Sequence, residues 1–227
     1  MLSWLNRAGP LAIPRFIWLL FAADAALGLA YLIDAFAGHP LGSLAHIIDL
    51  DGESNLPTWY SSIQWFVVFC ALTAVADGRV SRSNVRSWLL WLVPLVFLLF
   101  SMDEVVQVHE SVGLHADALL PGGTRAGTAV HVTGLFFLVV GLPFVIGFSA
   151  LILGVRPYLQ RPPGALTKLV VGMTMMIVGA VGFDFLANFV EDLSTPAIIL
   201  IYIEESLEMF GATVILWGSY QLLAPAG

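Results

Sequence analysis

Six apolar stretches divide this chain, and each is long enough to cross a membrane as a helix. About 20 consecutive apolar residues span the hydrocarbon core, and lipid accepts helices because each satisfies its own backbone hydrogen bonds. Composition agrees, since 59% of the 227 residues are hydrophobic and 11% are charged, against about 25% charged in soluble domains. We predict an all-α polytopic transmembrane bundle, one domain over residues 1–227, with helices at about 14–37, 57–76, 87–112, 129–154, 166–190 and 197–222.

Basic residues give these six helices an expected orientation. Eight of the nine Lys and Arg residues fall on one side when the spans are drawn, and Arg125 is alone on the other. Because cytoplasmic loops are enriched in Lys and Arg, we expect both termini in the cytoplasm. The eight are Arg7, Arg15, Arg79, Arg82, Arg86, Arg156, Arg161 and Lys168.

Acidic residues concentrate on the opposite, outer side. Asp77 is the single inner acid among sixteen, and all five histidines fall on the outer side. The loop acids Asp49, Asp51 and Asp117 are expected to do no more than complement the basic inner side. Acids within the spans differ, because each costs on the order of 2.5–3.5 kcal/mol on insertion scales, so such residues face the bundle interior and usually serve a function.

Three helices bring their acids to a similar depth. A rise of about 1.5 Å per residue places Asp103 of helix three, Asp184 of helix five, and Glu204 and Glu205 of helix six within one or two turns of a common level. Helical spacing puts the acids of each helix on one face, so we expect them to meet. The predicted stripes are Asp103, Gln107 and Glu110; Asp184, Asn188 and Glu191; and Glu204, Glu205 and Glu208, with His131 opening helix four at the same height.

Two further polar groups accompany these stripes. An acidic segment, Asp49-x-Asp51-x-Glu53-x-Asn55, precedes helix two, whose start is marked by a proline at position 57. Asp24 of helix one is separate from the others and is expected near the membrane midplane, with Tyr31 on the same helical face.

Carboxylates that crowd together in a low-dielectric interior repel one another, so they share protons or surround a cation. Asp and Glu with one or two His in a helical bundle are typical ligands of divalent metals; oxygen-rich sites suit Ca or Mn, and imidazole suits Zn or Fe. We predict a divalent metal ion (Zn, Fe, Mn or Ca), and the alternative is a structural polar core that holds the helices in register. The candidate ligands are Glu53, Glu104, His109, Asp184, Glu204, Glu205 and Glu208.

A membrane-embedded metal enzyme is the first functional hypothesis. A metal held by Glu104, His109, Glu205 and Glu208 activates a water or oxygen species. Asp103 or Glu110 is the candidate catalytic base. The expected substrate is a lipid or another hydrophobic small molecule that reaches the site laterally from the bilayer.

Two other hypotheses remain open. The acids form a funnel for a cation channel or transporter, with Asp24 continuing the path inward, or the chain is an accessory subunit whose polar core fixes its shape. The expected partners are membrane lipid and either a larger membrane complex or further copies of this chain. Nucleic acid is not an expected partner, because eight of the nine basic residues lie at the inner membrane face.

Three motifs resemble those of an uncharacterised family of bacterial multi-pass membrane proteins. They are Asp-Leu-Asp-Gly-Glu-Ser-Asn-Leu-Pro-Thr-Trp-Tyr-Ser-Ser (49–62), Ser-Met-Asp-Glu-x4-His-Glu (101–110) and Glu-Glu-Ser-Leu-Glu-Met-Phe-Gly (204–211). The resemblance implies a six-span protein of the bacterial inner (plasma) membrane, so that the acidic side faces the periplasm. In that family the helix-five acid is usually a Glu, whereas this chain has the shorter Asp184.

A second resemblance is to membrane hydrolases of the alkaline-ceramidase type. The Glu-Ser-Asn segment (53–55), Ser61 and the Asp103-Glu104 pair are similar in kind to residues of that zinc-dependent group. Its late His-x-x-x-His pair is absent here, and Glu204 and Glu208 stand at that spacing instead.

Overall fold

Helices make up all of the regular secondary structure in the part of the chain that the structure describes. The structure is a computed structural model, and it describes residues 13–81, 83–108, 111–112, 115, 140–191 and 194–223. The prediction of an all-α protein is confirmed. The long helices are α1 (Arg15–Phe36), α2 (Leu56–Arg79), α3 (Val85–Val106), α4 (Leu142–Leu159), α5 (Ala165–Ala187) and α6 (Thr195–Leu223).

Five of these helices, α1 to α5, are long and apolar enough to cross a membrane. Helix α6 is the longest, at 29 residues, but it carries Glu204, Glu205 and Glu208. Large apolar side chains such as Leu19 (71% exposed) and Ile33 (65% exposed) lie on the outside of the bundle, where lipid is a suitable solvent. The length and apolar composition of these helices indicate a membrane protein.

Helix α3 ends earlier than predicted, and this changes the arrangement of its acids. The sequence predicts a helix to residue 112, whereas α3 ends at Val106 and Gln107 adopts a left-handed conformation with a φ of 57°. The Gln107 backbone N–H donates to the Asp103 carbonyl oxygen at 2.7 Å and closes the helix. A left-handed residue redirects the chain, so the expected continuous stripe from Asp103 through Gln107 to Glu110 was wrong. Glu110 itself lies outside the described residues.

A π-helical segment interrupts α5 in its outer half. The helix is α-helical over Ala165–Ile177, π-helical over Val178–Phe183 and α-helical again over Asp184–Ala187. The wider π turn shifts the register between the two α-helical parts. Because α5 ends at Ala187 with Asn188 as its C-cap, Glu191 lies beyond the helix, and the expected stripe does not extend to it.

The other helix bounds agree with the prediction to within a few residues. The predicted and observed ends of α1, α2 and α6 differ by at most three residues. Helix α4 extends to Leu159, beyond the predicted end at residue 154. Its predicted first half, including His131, lies outside the described residues.

Helix α6 lies at the centre of the bundle, packed against α1, α2 and α5. Glycines allow its closest approaches. A Cβ added at Gly172 of α5 would lie 2.5 Å from the Gly211 carbonyl oxygen, and one added at Gly211 would lie 2.7 Å from the Gly172 carbonyl oxygen. Small residues at helix interfaces let backbones approach in this way, so the α5–α6 contact fixes the depth at which the α6 glutamates lie.

Basic side chains cross-link the other end of the bundle. Arg79, at the end of α2, donates to the carbonyl oxygens of Tyr158 on α4 and Leu222 on α6, the latter at 2.5 Å. Arg86 of α3 donates to the Gly154 carbonyl oxygen at 3.0 Å. Arginine is well suited to the carbonyls of Tyr158 and Leu222, which lie in the last turns of their helices and have no partner within them. The basic end of the bundle and the acidic end are therefore opposite ends.

Candidate functional site

Three glutamates of α6 form the centre of the acidic end. Glu204, Glu205 and Glu208 each contribute one carboxylate oxygen to a group in which all the oxygens lie within 4.8 Å of one another. The three side chains are half-buried. Residues three and four apart on a helix are neighbours, which explains how one helix supplies all three carboxylates. The structure thus places these three predicted residues together.

Helix α2 positions a fourth carboxylate, that of Glu104 on α3. The Ser61 hydroxyl donates to Glu104 Oε1 at 3.0 Å, and the Trp65 indole N–H donates to the same oxygen at 3.2 Å. Trp65 is itself held by stacking on Phe97 of α3, with ring centroids 5.8 Å apart. Ser61 and Trp65 are four residues apart and so lie on one face of α2. The orientation of Glu104 is therefore fixed by rigid elements.

The carboxylates from different helices lie close enough to repel one another. Glu205 experiences the negative charges of Glu104 on α3 and of Glu53 and Asp51 before α2, in addition to that of Glu204 beside it. Like charges at such separations disfavour full ionisation of all members unless a cation is present. The acidic end is thus a cluster built from three separate segments of the chain.

The acidic segment before α2 folds around Asn55. The Asn55 side-chain amide donates to the carbonyl oxygens of Asp49 and Gly52, both at 2.6 Å, and its Oδ1 accepts from the Thr58 backbone N–H at 3.1 Å. Asn55 is therefore the N-cap of α2, a position for which asparagine is favoured. The Thr58 hydroxyl donates to Glu53 Oε2 at 3.3 Å. This cap turns the segment back over the start of α2 and brings Glu53 to the cluster.

The π-helical segment of α5 packs directly against the cluster. A Cβ added at Gly179 would lie 2.8 Å from the Glu204 carbonyl oxygen and 3.1 Å from Glu208 Cγ. Single π turns inside α-helices are frequent at functional sites. Here the turn lets the α5 backbone lie close to the helix that carries the glutamates.

Tyr31 of α1 also belongs to the acidic end, which sequence reasoning did not recognise. Its side chain is 9% exposed, packs with Leu50, and experiences the negative charges of Asp51 and Glu205. The sequence pairs Tyr31 with Asp24 because both lie on one face of helix one. A separation of seven residues is about 10 Å along a helix, and this rise carries Tyr31 away from Asp24 to the acidic end.

The predicted site residues fall into three groups. Asp103 lies beside Glu104 in sequence and contributes a negative charge to its surroundings. The backbone of Asp184 follows the π-helical segment, but its side chain, like His109 and Glu110, lies outside the described part of the structure. The residues whose carboxylate oxygens the structure brings within 4.8 Å of one another are Glu204, Glu205 and Glu208. Glu53 and Glu104 lie near enough for their charges to act on Glu205.

A separate polar network surrounds Asp24 in the middle of α1. Asp24 is 0% exposed. Tyr60 and Gln64 of α2 donate to its Oδ1 at 2.6 Å and 3.1 Å, and Thr213 of α6 donates to its Oδ2 at 2.8 Å. Sequence reasoning identified Asp24 but not its partners. The four-residue spacing of Tyr60 and Gln64 on one helical face was the available signal.

An apolar cavity of about 430 Å³ lies between α3, α4 and α5. Its walls include Phe97 of α3, Phe148 of α4 and Val178 of α5. Phe97 is the residue on which Trp65 stacks, and Val178 begins the π-helical segment. The cavity is therefore next to the two elements that support Glu104 and the α6 glutamates.

Comparison with known families assigns the chain but not an activity. No curated protein and no solved structure matches it. One family model, described as a domain of unknown function (DUF8692), matches residues 16–223 and so includes every helix described above. The chain belongs to this family, DUF8692.

Proposed function

We propose that this protein binds a divalent metal ion at its acidic end, within the outer half of the membrane. The observation that supports the proposal is the group of three α6 carboxylates whose oxygens lie within 4.8 Å of one another, with the negative charges of Glu104 and Glu53 acting on Glu205. A divalent cation would remove the mutual repulsion of these groups. Ser61 and Trp65 both donate to Oε1 of Glu104 and orient this carboxylate, which would join the α6 glutamates in holding the ion.

The donor set favours a hard cation. The candidate ligands among the described residues are all carboxylates, and oxygen is the ligand atom that Ca²⁺ and Mn²⁺ prefer. Zn or Fe becomes the better fit if His109, outside the described residues, adds an imidazole nitrogen to the same site.

We further propose that the bound metal serves an enzyme reaction on a hydrophobic substrate. A metal in such a site makes bound water a stronger acid and polarises a substrate oxygen. Asp103 or Glu110 accepts the proton, and the apolar cavity beside Phe97 and Val178 receives the apolar part of a lipid. A volume of about 430 Å³ falls in the usual range for ligand sites, roughly 300–1,000 Å³.

Metal analysis of the detergent-purified protein tests the metal site. Elemental mass spectrometry is run on the wild type, Glu205→Gln and His109→Ala, with Asp34→Asn as a matched control. Asp34 is a suitable control because it is a buried carboxylate near the C-terminal end of α1 that has a partner of its own: its Oδ2 lies 2.9 Å from His39 Nδ1. Stoichiometric metal in the wild type and Asp34→Asn, lost in Glu205→Gln, supports the site. The element detected distinguishes Zn or Fe from Ca or Mn, and its loss in His109→Ala shows that the imidazole is a ligand. Absence of metal after chelator-free purification contradicts it.

The proposed topology is six spans with both termini in the cytoplasm and the metal site facing the periplasm. Its support is the separation of the basic end from the acidic end. Ser43 and Ser83 are exposed residues beyond α1 and α2, and they are replaced one at a time by cysteine in a Cys70→Ser background. A membrane-impermeant maleimide is expected to label Ser43→Cys in intact spheroplasts and Ser83→Cys only after lysis. The reverse pattern contradicts this orientation.

Cation transport is a second candidate, favoured by one observation. Asp24 is a fully buried carboxylate between the acidic end and the basic end, where a transport path must continue inward. Metal uptake into proteoliposomes tests this candidate, with wild type beside Asp24→Asn. Uptake that is lost in Asp24→Asn while metal binding is kept supports the path, and no uptake in the wild type, or equal uptake in both, contradicts it.

A further inference from the structure

Two cavities along α4 and α5 join into one groove. The apolar cavity of about 430 Å³ beside α3 is followed by a second cavity of about 330 Å³. Both are lined by Ile152 and Leu153 of α4 and by Val170 of α5, so they are continuous. On α5 the lining runs from Val178 to Leu166, which is about 18 Å at the rise of an α-helix. This length is similar to the depth of one leaflet, half of a hydrocarbon core of about 30 Å.

The part of this groove nearer the π-helical segment is apolar. Ser149 and Thr174 are the polar residues of its lining, and the Thr174 hydroxyl donates to the Val170 carbonyl oxygen of its own helix at 2.9 Å. Such a lining offers water few partners and is stabilised by contact with apolar groups. Leu153 and Val170 line the groove and are 66% and 49% exposed, so the groove opens to the outside of the bundle, where lipid chains lie.

The other end of the groove carries a positive charge. Arg156 of α4 and Thr167 of α5 line it. With its amide oxygen turned toward Arg156, Gln160 accepts from Nε and Nη2 of the guanidinium at 2.5 and 3.2 Å. Gln160 is uncharged, and among the described residues no carboxylate forms an ion pair with Arg156. A guanidinium has five N–H donors in a planar fork that fits a phosphate, so donors and charge remain for an anion.

Two other basic side chains at this end of the bundle have contacts within the protein. Arg86 of α3 donates to the Gly154 carbonyl oxygen at 3.0 Å, close to Arg156 in the chain. Lys168 Nζ lies 4.2 Å from the centre of the Trp217 ring on α6. Lys168 is therefore directed to α6, whereas Arg156 lines the groove and Arg86 adds a second positive charge near it.

We infer that this groove binds an anionic phospholipid, with the phosphate at Arg156 and Thr167 and an acyl chain along the groove toward Val178. The groove has the depth of one leaflet, is apolar along its length and ends at a cation. These features match the long chain and the charged headgroup of one molecule, and basic pockets between transmembrane helices bind anionic headgroups. The inference concerns binding alone and stands whether or not the bound lipid is also a substrate of the proposed enzyme.

Native mass spectrometry of the detergent-purified protein tests the headgroup site. Phosphatidylglycerol and phosphatidylcholine with the same acyl chains are titrated separately, without added metal, so the outcome does not depend on the proposed metal site. The wild type is expected to bind phosphatidylglycerol about tenfold more tightly, the effect of one hydrogen bond to a charged group, and Arg156→Gln is expected to lose this preference. Arg15→Gln is the matched control, because Arg15 is an exposed arginine at the start of α1 that lines neither cavity. Equal affinity for the two lipids in the wild type, or a preference that is kept in Arg156→Gln, overturns the inference.

Replacement of Val170 by Trp tests the apolar part of the groove. Val170 lies where the two cavities meet, so the larger side chain is expected to fill the groove and weaken the binding of both lipids by about tenfold or more. Val67→Trp is the matched control, because Val67 is 42% exposed on α2 and lines neither cavity. Unchanged binding in Val170→Trp overturns the inference.

A photoreactive lipid tests the position of the chain in the wild type, so the inference stays testable even if a variant does not fold. Phosphatidylglycerol with a diazirine at the end of one acyl chain is cross-linked by light, and the labelled peptides are identified by mass spectrometry. The label is expected on residues around Val178 and Phe148 at the apolar end of the groove. Labelling confined to α1 and α2 overturns the inference.

Discussion

The Asp24 network and the acidic end hold carboxylates at two depths of the same bundle. The surroundings of the carboxylates differ between these two regions. Asp24 is a single carboxylate, 0% exposed, with donors from two other helices. The acidic end has three half-buried glutamates, Glu204, Glu205 and Glu208, with carboxylate oxygens within 4.8 Å of one another. The charges of Glu104 and Glu53 also act on Glu205.

This difference indicates two purposes. A lone carboxylate surrounded by donors is satisfied by the protein itself and ties helices together. A group of carboxylates gains little from further acidic neighbours and is stabilised by a cation. Changes to the first region are therefore expected to act on stability, and changes to the second on ligand binding.

The largest expected effect is from Asp24→Ala. The change leaves the buried donors of Tyr60, Gln64 and Thr213 without their acceptor, and each buried unsatisfied group costs about 1–3 kcal/mol. A loss of about 3 kcal/mol or more in the free energy of unfolding is expected in detergent, measured by denaturant titration. Asp24→Asn, which keeps an acceptor oxygen, is expected to lose much less. Equal losses in both variants contradict the network as the source of stability.

The acidic end is expected to show the opposite behaviour. Added metal at about 100 times its dissociation constant stabilises a binding protein by about 2.7 kcal/mol. This gain is expected in the wild type and in Asp24→Asn and absent in Glu205→Gln, measured by thermal unfolding with and without metal. In the absence of metal, Glu205→Gln is expected to be at least as stable as the wild type, because it removes repulsion. If metal still stabilises Glu205→Gln by the same amount, Glu205 is not a ligand and the proposed difference between the two regions is contradicted.

Trp65→Phe is expected to have an intermediate effect. It removes the indole N–H that donates to Glu104 while keeping a ring to stack on Phe97, and a hydrogen bond to a charged group contributes about 1.5–3 kcal/mol. Weaker metal binding, by about tenfold or more, is expected in isothermal titration. Phe66→Leu is the matched control, because Phe66 is 47% exposed on the same helix. Unchanged affinity in Trp65→Phe shows that Glu104 is not a ligand positioned by Trp65.

The smallest effect is expected from His39→Ala. The His39 ring is hydrogen-bonded to Asp34, but 66% of the His39 side chain is exposed, so water takes its place readily, and a typical hydrogen bond contributes about 0.5–1.5 kcal/mol. A change of about 1 kcal/mol in the free energy of unfolding, with unchanged metal affinity, is expected from the same two assays. A large loss of metal binding in His39→Ala would show that His39 belongs to the metal site, contrary to this prediction.

Local sequence determined much of the fold. Long apolar runs specify helices because lipid leaves no other way to satisfy the backbone, and the bounds of α1, α2 and α6 follow from such runs. The stripe of Glu204, Glu205 and Glu208 also follows from sequence, since helical spacing alone places these carboxylates together. The cap at Asn55 is equally local.

Tertiary structure decided where the helices break and which side chains meet across them. The left-handed Gln107 ended the expected stripe on α3, and the end of α5 at Ala187 left Glu191 outside the expected stripe on that helix. Neither change has a mark in the sequence as clear as proline in an apolar run. The partners of Asp24 and Glu104 come from α2 and α6, at sequence separations of 36 to 189 residues. The spacing of residues within one helix does not predict such pairs. They depend on the rotation and depth of one helix relative to another, which close glycine contacts such as Gly172–Gly211 determine.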